Sequence, residues 1–307
     1  MLVAGPAAAP DTRVNAFFNE LGRKFAEKWF SLLVLPGLLL VATALVAGML
    51  GHSHALDWNE LLRRADAWSS ALGRRPPMAQ LLVVGAVLLA STIAGLIVRG
   101  LTARTQRLWL GVWVDARSSW VSAAGEKLRA RRERRWRAAD DASAEAVDEA
   151  TKHRFARRRN RISLATPVRP TFIGDRIAAA DTRVHHQYEA DVESWWPRLW
   201  LILDDTSRAE LRAAREAFDT AANQATWAVG YLLIGLFWWP ALPIAACVWV
   251  NGWLRGRDAA HTYATLIEST VDVFAADLAV RLRMLQEGEE FTRSTGEDLT
   301  FLFRKGT

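Results

Sequence analysis

The chain has 307 residues, of which 51% are hydrophobic and 23% charged, with a formal net charge of +6. This length allows about two domains, and the apolar content excludes a disordered or collagen-like chain. Cys247 is the single cysteine, so an intramolecular disulfide framework and a multi-cysteine zinc or iron–sulfur site are excluded as well. Charge is concentrated in some stretches and almost missing from others, a pattern typical of membrane segments.

Two segments, 30–50 and 78–98, are each uncharged over 21 residues. At 1.5 Å per residue, a helix of this length covers about 30 Å, the thickness of the hydrocarbon layer. The first segment follows a charged stretch and exceeds the apolar part of a signal peptide, which is about 7–15 residues. We therefore expect both segments to span a membrane as a first helical hairpin.

Two shorter uncharged segments, 225–239 and 241–254, are separated only by a proline. Each would form roughly 22 Å of helix, less than a full crossing. They are interpreted either as a thin or tilted transmembrane hairpin or as a re-entrant hairpin shielded from lipid. The residues selected as candidates for a pore or for this hairpin are Thr43, Ser91, Thr92, Trp238, Trp239, Pro240 and Asn251.

Arginine and lysine in the flanks of these segments indicate the orientation. By the positive-inside rule, both termini and the central region are cytoplasmic. We predict an all-α, multi-pass protein of the bacterial inner (cytoplasmic) membrane, with two transmembrane helical hairpins (four spans). Its parts are an N-terminal cytoplasmic segment with the first hairpin (1–100), a cytoplasmic helical domain (101–224), the short second hairpin (225–254) and a C-terminal cytoplasmic helix and tail (255–307).

One helix is predicted to continue from the second span through residues 101–141, because only two glycines interrupt this stretch. Three tryptophans would then share one face of that helix, to pack on protein or to lie in the headgroup layer. Three more, around Pro197, are expected to wedge between helices or to lie at the inner interface. These aromatic candidates are Trp109, Trp113, Trp120, Trp195, Trp196 and Trp200.

Two basic clusters flank an acidic patch in the central domain. Their selected residues are Arg131, Arg132, Arg134 and Arg135, followed by Arg157, Arg158 and Arg159. Alternating blocks are typical of solvated helix faces that pair with each other in a helical hairpin. The functional alternatives are anionic lipid and a cytosolic partner; nucleic acid is disfavoured, because few aromatic residues accompany the charges. On an upright helix Lys127 would stand about 40 Å above the membrane, so lipid binding requires the helix to lie flat.

Three further local predictions concern the C-terminal part of the chain. A helix capped by Thr206 or Ser207 runs into the third segment. After the fourth segment, apolar residues recur at heptad-like spacing, a seam that would pack on the long helix or on a symmetry mate; they are Ile267, Val271, Phe274, Leu278 and Leu285, with Arg281 interrupting them. The last apolar stretch, 298–304, is predicted as a short strand.

Catalytic motifs are missing from the sequence. It contains no phosphate-binding loop, dinucleotide fingerprint, zinc-protease motif or serine-hydrolase elbow. His52 and His54 lack a third ligand nearby in the sequence. The four segments hold no Asp, Glu, Lys, Arg or His, which disfavours a proton-coupled carrier. We therefore expect no enzymatic activity, no cofactor and no metal site.

Scattered motifs in residues 165–307 resemble a group of uncharacterised integral membrane proteins from actinobacteria and other bacteria. The motifs are Arg169-Pro170-Thr171…Gly174-Asp175, Trp196-Pro197-Arg198-Leu199-Trp200 and Gly296-Glu297-Asp298-Leu299-Thr300…Arg304-Lys305-Gly306. The resemblance implies a location and an architecture, and it implies no activity.

These observations favour a non-enzymatic, homo-oligomeric membrane protein that acts as a pore, a channel or a membrane effector. Its cytoplasmic helical domain would control it, because a helix continuous with a span transmits rearrangement without a flexible joint. The alternative is a membrane-anchored scaffold or adaptor, without a pore, that recruits a cytosolic partner through its charged helical arm. The expected partners are the lipid bilayer, further copies of the chain and a cytosolic protein.

Overall fold

The computed structural model describes residues 34–115 and 119–304. Within these ranges the secondary structure is helical and contains no strand, which agrees with the predicted all-α class. The helices are α1 (Leu35–Leu50), α2 (Trp58–Gly73), α3 (Pro77–Leu110), a 3₁₀ helix (Val112–Asp115), α4 (Ser119–Ala144), α5 (Glu149–Ile162), α6 (Phe172–Tyr188), α7 (Val192–Ile202), α8 (Asp205–Gly235), α9 (Ala241–Arg281) and α10 (Arg293–Phe303).

Among the described helices, α3 alone is long and apolar enough to cross a membrane. Many of its large apolar side chains are exposed; Leu82, Leu89 and Ile97 are 68%, 61% and 57% accessible. Helix α1 is apolar but has 16 residues, and residues 30–33 of the first predicted span lie outside the described ranges. The four predicted spans are therefore not confirmed. The uncharged parts of α8 and α9 are shorter than the length needed to cross a membrane. Charged residues limit the uncharged part of α8 on its N-terminal side, and Arg255 ends that of α9.

The chain divides into two compact units. Unit 1 contains residues up to 101 and residues 226–249; unit 2 contains residues 102–225 and those from 250 onward. In unit 1, α1 packs closely on α3, with Gly37 against the backbone of the buried Ser91. The turn between α8 and α9 includes Pro240, and Trp238 in this turn donates from Nε1 to the carbonyl oxygen of Ala55 at 2.9 Å.

The predicted continuous helix over residues 101–141 is wrong. Helix α3 ends at Leu110, and Gly111 adopts φ = +70°, a left-handed conformation that favours glycine. The ring of Pro170 lies against Gly111, so contacts from a distant part of the chain fix this turn. Helix α4 then folds back on the 3₁₀ helix, with Gly125 against Val114. Consequently the tryptophans predicted to share one helix face lie on separate elements.

The core of unit 2 is formed by α6, α7, α9 and α10. Trp195, Leu199, Val271 and Leu299 are fully buried in it. The indole Nε1 of Trp195 donates to Oγ1 of Thr300 at 3.0 Å, which satisfies its polar edge inside an apolar environment. This core fixes α10 to the rest of the unit.

The predicted heptad-like seam on α9 is formed only in part. Val271 and Leu278 enter the core, and Phe274 packs against it. Helix α9 ends at Arg281, so Leu285 lies beyond the helix. Leu285 still packs against this core from outside the helix. The seam residues from Val271 onward therefore pack within the same chain, against a core shared with α6, α7 and α10, and only the helical continuation beyond Arg281 does not form.

Two other local predictions are wrong. Residues 298–303 belong to α10 and not to a strand, because Thr292 caps this helix by accepting from the backbone N–H of Thr295. The α8 cap is neither Thr206 nor Ser207. Asp204 performs that role, its carboxylate accepting from the backbone N–H of Ser207 at 3.0 Å.

Candidate functional site

Two consecutive charged residues at the start of α6 are buried in unit 2. Asp175 is 2% exposed, and its carboxylate accepts from the backbone N–H groups of Val168 and Arg169 at 2.8 and 2.6 Å. Arg132 of α4 pairs with the second carboxylate oxygen at 2.5 Å. Burial raises the pKa of Asp175, while the hydrogen bonds and Arg132 oppose that rise. This carboxylate therefore ties the loop before α6 to α4.

The turn of α6 that holds Asp175 is capped by Thr171. Its hydroxyl oxygen accepts from the N–H of Gly174 at 3.0 Å and donates to the carbonyl oxygen of Trp109. Gly174 and Asp175, which follow Thr171 in the sequence motif, both lie inside the first turn of the helix.

Arg176, 3% exposed, forms the second part of this buried network. Its Nη1 donates to Glu268 at 2.6 Å, its Nη2 to the hydroxyl of Thr265 at 2.9 Å and its Nε to Nδ1 of His261 at 2.9 Å. The last bond requires the ring proton of His261 to reside on Nε2. All three acceptors lie on one face of α9 at spacings of four and three residues, and Arg183 pairs with the other carboxylate oxygen of Glu268 at 3.1 Å.

Trp109 lies close to this network and is 1% exposed. Its ring meets Trp253 of α9 edge to face at 5.5 Å and Phe218 of α8 at 6.0 Å. Of the tryptophans expected to share its helix face, Trp113 is half-buried on the 3₁₀ helix and Trp120 is exposed on α4. The three residues therefore do not act as one packing stripe.

The second tryptophan group is also divided. Trp195 is a core residue, whereas Trp196 and Trp200 line an open groove of about 650 Å³. Tyr263 and Leu211 complete its apolar wall, and its charged lining residues are Arg212, Arg215, Glu216 and Asp219. The guanidinium of Arg212 lies 5.3 Å from the ring centre of Trp200. Acidic and basic groups both face this groove, so its charge does not favour one class of ligand.

Helices α4 and α5 form a helical hairpin, named the charged arm below. Arg159 of α5 pairs with Asp140 of α4 at 2.7 Å and lies over the ring of Trp136. The indole of Trp136 donates to the carbonyl oxygen of Ser163 at 3.0 Å. The inner sides of both helices are thus joined by an ion pair and hydrogen bonds, the arrangement that alternating charge blocks predict.

The arginines selected from the sequence fall into two groups in the charged arm. Arg132 and Arg159 point inward and hold Asp175 and Asp140. The others are exposed: Arg131, Arg134 and Arg135 on α4, and Arg157 and Arg158 on α5. Structural and surface roles therefore alternate within each basic cluster.

The selected hydroxyls of unit 1 are satisfied within their own helices. Thr43, Ser91 and Thr92 each donate to the carbonyl oxygen four residues earlier, at 2.7, 2.7 and 2.9 Å. Trp239 is exposed in the α8–α9 turn beside Trp238. In unit 2, Asn251 is exposed on α9. None of these hydroxyls needs a further partner to meet its hydrogen-bond donor capacity.

The buried ion network was not found from the sequence. The sequence marks Asp175 only as part of a motif. It does not indicate that Arg176 contacts His261, Thr265 and Glu268. The available signal was weak: an arginine follows the capping turn of a short helix, and the acceptors on α9 lie about 90 residues away. Within residues 34–115 and 119–304, no three His, Cys, Asp or Glu side chains converge as possible metal ligands.

Comparison of the chain with protein-family profiles, with curated proteins and with solved structures found no match. The resemblance to uncharacterised bacterial membrane proteins therefore stays a prediction.

Proposed function

We propose that this chain is a multi-pass, homo-oligomeric protein of the bacterial inner membrane, with both termini in the cytoplasm. It acts as a pore, a channel or a membrane effector that its charged helical unit controls. The observation that carries the proposal is the continuity of α9. One unbroken helix contains the uncharged segment 241–254 and also His261, Thr265 and Glu268, which hold the buried Arg176.

This continuity gives the network a mechanical role. Arg176 has three directional bonds to α9, and a planar guanidinium cannot keep all of them if α6 shifts by a helical turn. A change that breaks them alters the position or rotation of α9. Helix α9 has no break between these acceptors and its uncharged segment. That displacement therefore reaches the proposed membrane part without a flexible joint.

Exposed apolar surface supports the membrane location. Between Leu81 and Ile97, the large side chains of α3 that face outward are leucine, isoleucine and valine. Such a surface on a long helix is stable in lipid or against other copies of the chain. The charged arm supports the orientation. Residues 119–162 contain 13 Lys and Arg against 7 Asp and Glu, a charge of +6 that equals that of the whole chain, so this segment is expected to stay in the cytoplasm.

The hydroxyls of unit 1 support a particular kind of pore. Because Thr43, Ser91 and Thr92 are bonded within their own helices, an axial path between copies would be lined mainly by apolar side chains. Such a path conducts when it becomes wide enough to hold water and closes by dewetting.

The direct test combines oligomeric state with conductance. The full chain in nanodiscs should form a closed ring of three or more copies by mass photometry, and it should conduct ions in planar bilayers. Thr265→Val removes one acceptor of Arg176 and should change the open probability about fivefold, the effect of roughly 1 kcal/mol. Thr265→Ser keeps the hydroxyl and should behave as the parent does.

A monomer or dimer without conductance would contradict the pore and would favour the scaffold that recruits a cytosolic partner. Orientation is tested separately with cysteines in a Cys247→Ser background. Labels at Asn59→Cys and Glu145→Cys should react from opposite sides of the membrane. Reaction from the same side would contradict the topology.

A further inference from the structure

Five side chains lie along the outer face of α4: Trp120, Lys127, Arg131, Arg134 and Arg135. At about 100° per residue they fall within an arc of roughly 100° on the helix surface. All five are exposed, and Trp120 is 76% accessible. The opposite side of α4 carries Arg132 and Trp136, which point into unit 2 and toward α5. The outer face of α4 is therefore a basic stripe with one aromatic residue near its beginning.

The charge of this face is not neutralised within the described part of the chain. Ion pairs engage other cations of the arm: Arg129 and Arg137 bind Glu133, and Arg132 binds Asp175. Lys127, Arg131, Arg134 and Arg135 form no ion pair with a described residue. The acids nearest to them in the sequence already hold inward-pointing or neighbouring arginines. Among the described residues, the cations of this stripe therefore have no ion-pair partner.

The combination of one exposed indole with four cations favours a lipid surface. Tryptophan prefers the headgroup layer, where its ring is partly apolar and its N–H remains hydrated. Each lysine or arginine near an anionic leaflet contributes further attraction. Single-stranded nucleic acid would need several exposed rings for base stacking. The other aromatic residues of the arm, Trp136 and Phe155, are only half-exposed, and Trp136 is bonded to Ser163.

The break at Gly111 removes the main objection to lipid contact. A straight continuation of α3 would carry Lys127 about 40 Å beyond Val98. Instead the chain leaves α3 at Leu110, only about 18 Å along the helix from Val98, and α4 folds back on the 3₁₀ helix. We propose that the outer face of α4, from Trp120 to Arg135, docks on the anionic phospholipid headgroups of the membrane that holds α3. This proposal rests on the proposed membrane location.

Helix α5 provides a matched comparison. Arg154, Arg157 and Arg158 repeat the spacing of the α4 arginines and are equally exposed. Their helix has no exposed tryptophan, because its single aromatic residue, Phe155, is half-buried beneath Arg154. Removing three charges from α5 therefore changes the net charge of the arm as much as removing three from α4, without altering the proposed docking face.

The experiment uses the full chain in nanodiscs, in a Cys247→Ser background with a fluorophore on Ala138→Cys, an exposed position of the same α4 face. Quenching by headgroup-labelled lipid is measured in phosphatidylcholine alone and with one third phosphatidylglycerol. Phosphatidylglycerol should produce strong quenching that high salt reverses. The triple change of Arg131, Arg134 and Arg135 to Gln should lower the ratio of docked to undocked arm on the order of a hundredfold. The same triple with Lys should keep docking.

The matched triple change of Arg154, Arg157 and Arg158 to Gln should change the docked ratio less than tenfold, and Trp120→Ala should weaken docking. Equal loss in the two triple variants would overturn the proposal, as would a label that stays unquenched in every lipid. Binding of a labelled oligonucleotide by the α4 stripe, without a response to phosphatidylglycerol, would overturn it in favour of nucleic acid. A protein that is not retained in the nanodisc after alkaline washing would instead contradict the membrane location, which separates the two failures.

Discussion

The two units of the chain distribute charge and apolar surface in opposite ways. In unit 1, helix α3 exposes Leu82 and Leu89, while its serine is buried against Gly37. In unit 2, Asp175 and Arg176 are buried in full, and the outer surface of the arm is basic. A protein in water hides apolar groups and exposes charges, whereas a lipid-facing surface is apolar. The two units share long helices, yet one exposes mainly apolar side chains on α3 and the other a basic surface on α4.

The largest expected effect concerns the buried charges of unit 2. Glu268→Leu removes the counter-ion of Arg176 and leaves its guanidinium in the interior without a carboxylate. We expect a loss of about 3–5 kcal/mol in the free energy of unfolding, measured by chemical denaturation of the detergent-solubilised chain. The control is Arg183→Gln. Arg183 also pairs with Glu268 but is half-exposed, so its loss should stay below about 1 kcal/mol. Similar values for both variants would show that burial does not strengthen this network.

The second test places a charge on the apolar surface of unit 1. Leu89→Arg should lower the membrane-inserted fraction by an amount equivalent to about 2.5–3.5 kcal/mol, because a guanidinium at mid-membrane is costly. The measurement is the fraction of chain that resists alkaline extraction. Leu201→Arg changes a leucine on α7 of unit 2 that is even more exposed, 76% against 61% for Leu89, and there we expect no loss. If Leu89→Arg is also silent, α3 does not face lipid.

The third test examines helix packing inside unit 1. A Cβ on Gly37 would overlap the backbone carbonyl of Ser91, so Gly37→Ala should destabilise the chain by about 1–3 kcal/mol. Gly48 lies on the same helix, and a methyl group added there would meet no atom within 4 Å. Gly48→Ala should therefore stabilise by about 0.5–1 kcal/mol. Thermal unfolding followed by circular dichroism would measure both stability changes. If the two variants shifted stability in the same direction, the close contact at Gly37 would be contradicted.

The smallest effect tests the partly buried hydroxyl of Tyr188 in unit 2 by pH. Burial, followed by the hydrogen bond that Tyr188 donates to Asp272 at 2.9 Å, raises the pKa of Tyr188 to about 12. Because the folded chain retains this proton when an unfolded tyrosine has lost it, the stability that Tyr188 provides is present below pH 10. It is lost as the pH rises from 10 to 12.

Absorbance of tyrosinate at alkaline pH provides the measurement for Tyr188. Subtracting the titration of Tyr188→Phe from that of the parent should leave a step near pH 12. Asp272→Asn should move this step only part of the way toward the ordinary value of 10, because burial remains the larger cause. A step at the ordinary value in the parent would contradict the buried phenol.

Local patterns predicted the helical class and the turn at Pro240 correctly. They failed where contacts from distant residues decide the outcome. Gly111 lies in an otherwise helical sequence, and it breaks the helix because Pro170 packs against it. The short apolar stretch at 298–304 suggested a strand, but Leu299 and Phe303, four residues apart, face one core in a helix capped by Thr292.

The candidate site was even less accessible to sequence patterns. Arg132 and Arg159 look like the exposed arginines beside them, and only the fold shows that these two point inward. Likewise, nothing in the spacing of His261, Thr265 and Glu268 indicates that one arginine on α6 binds all three. Pairs of opposite charge that are far apart in sequence require a tertiary structure to be recognised.

The outer face of α4 is built mainly from guanidinium groups, three of its four cations being arginine. A guanidinium keeps its proton at every pH that a cell experiences. Acidification of the surrounding solution therefore leaves the charge of this surface unchanged, unlike that of a histidine-based pH sensor. The proposed attraction of this surface to anionic headgroups would therefore be weakened by dissolved ions or by a competing polyanion, and not by a change in the charge of α4 itself.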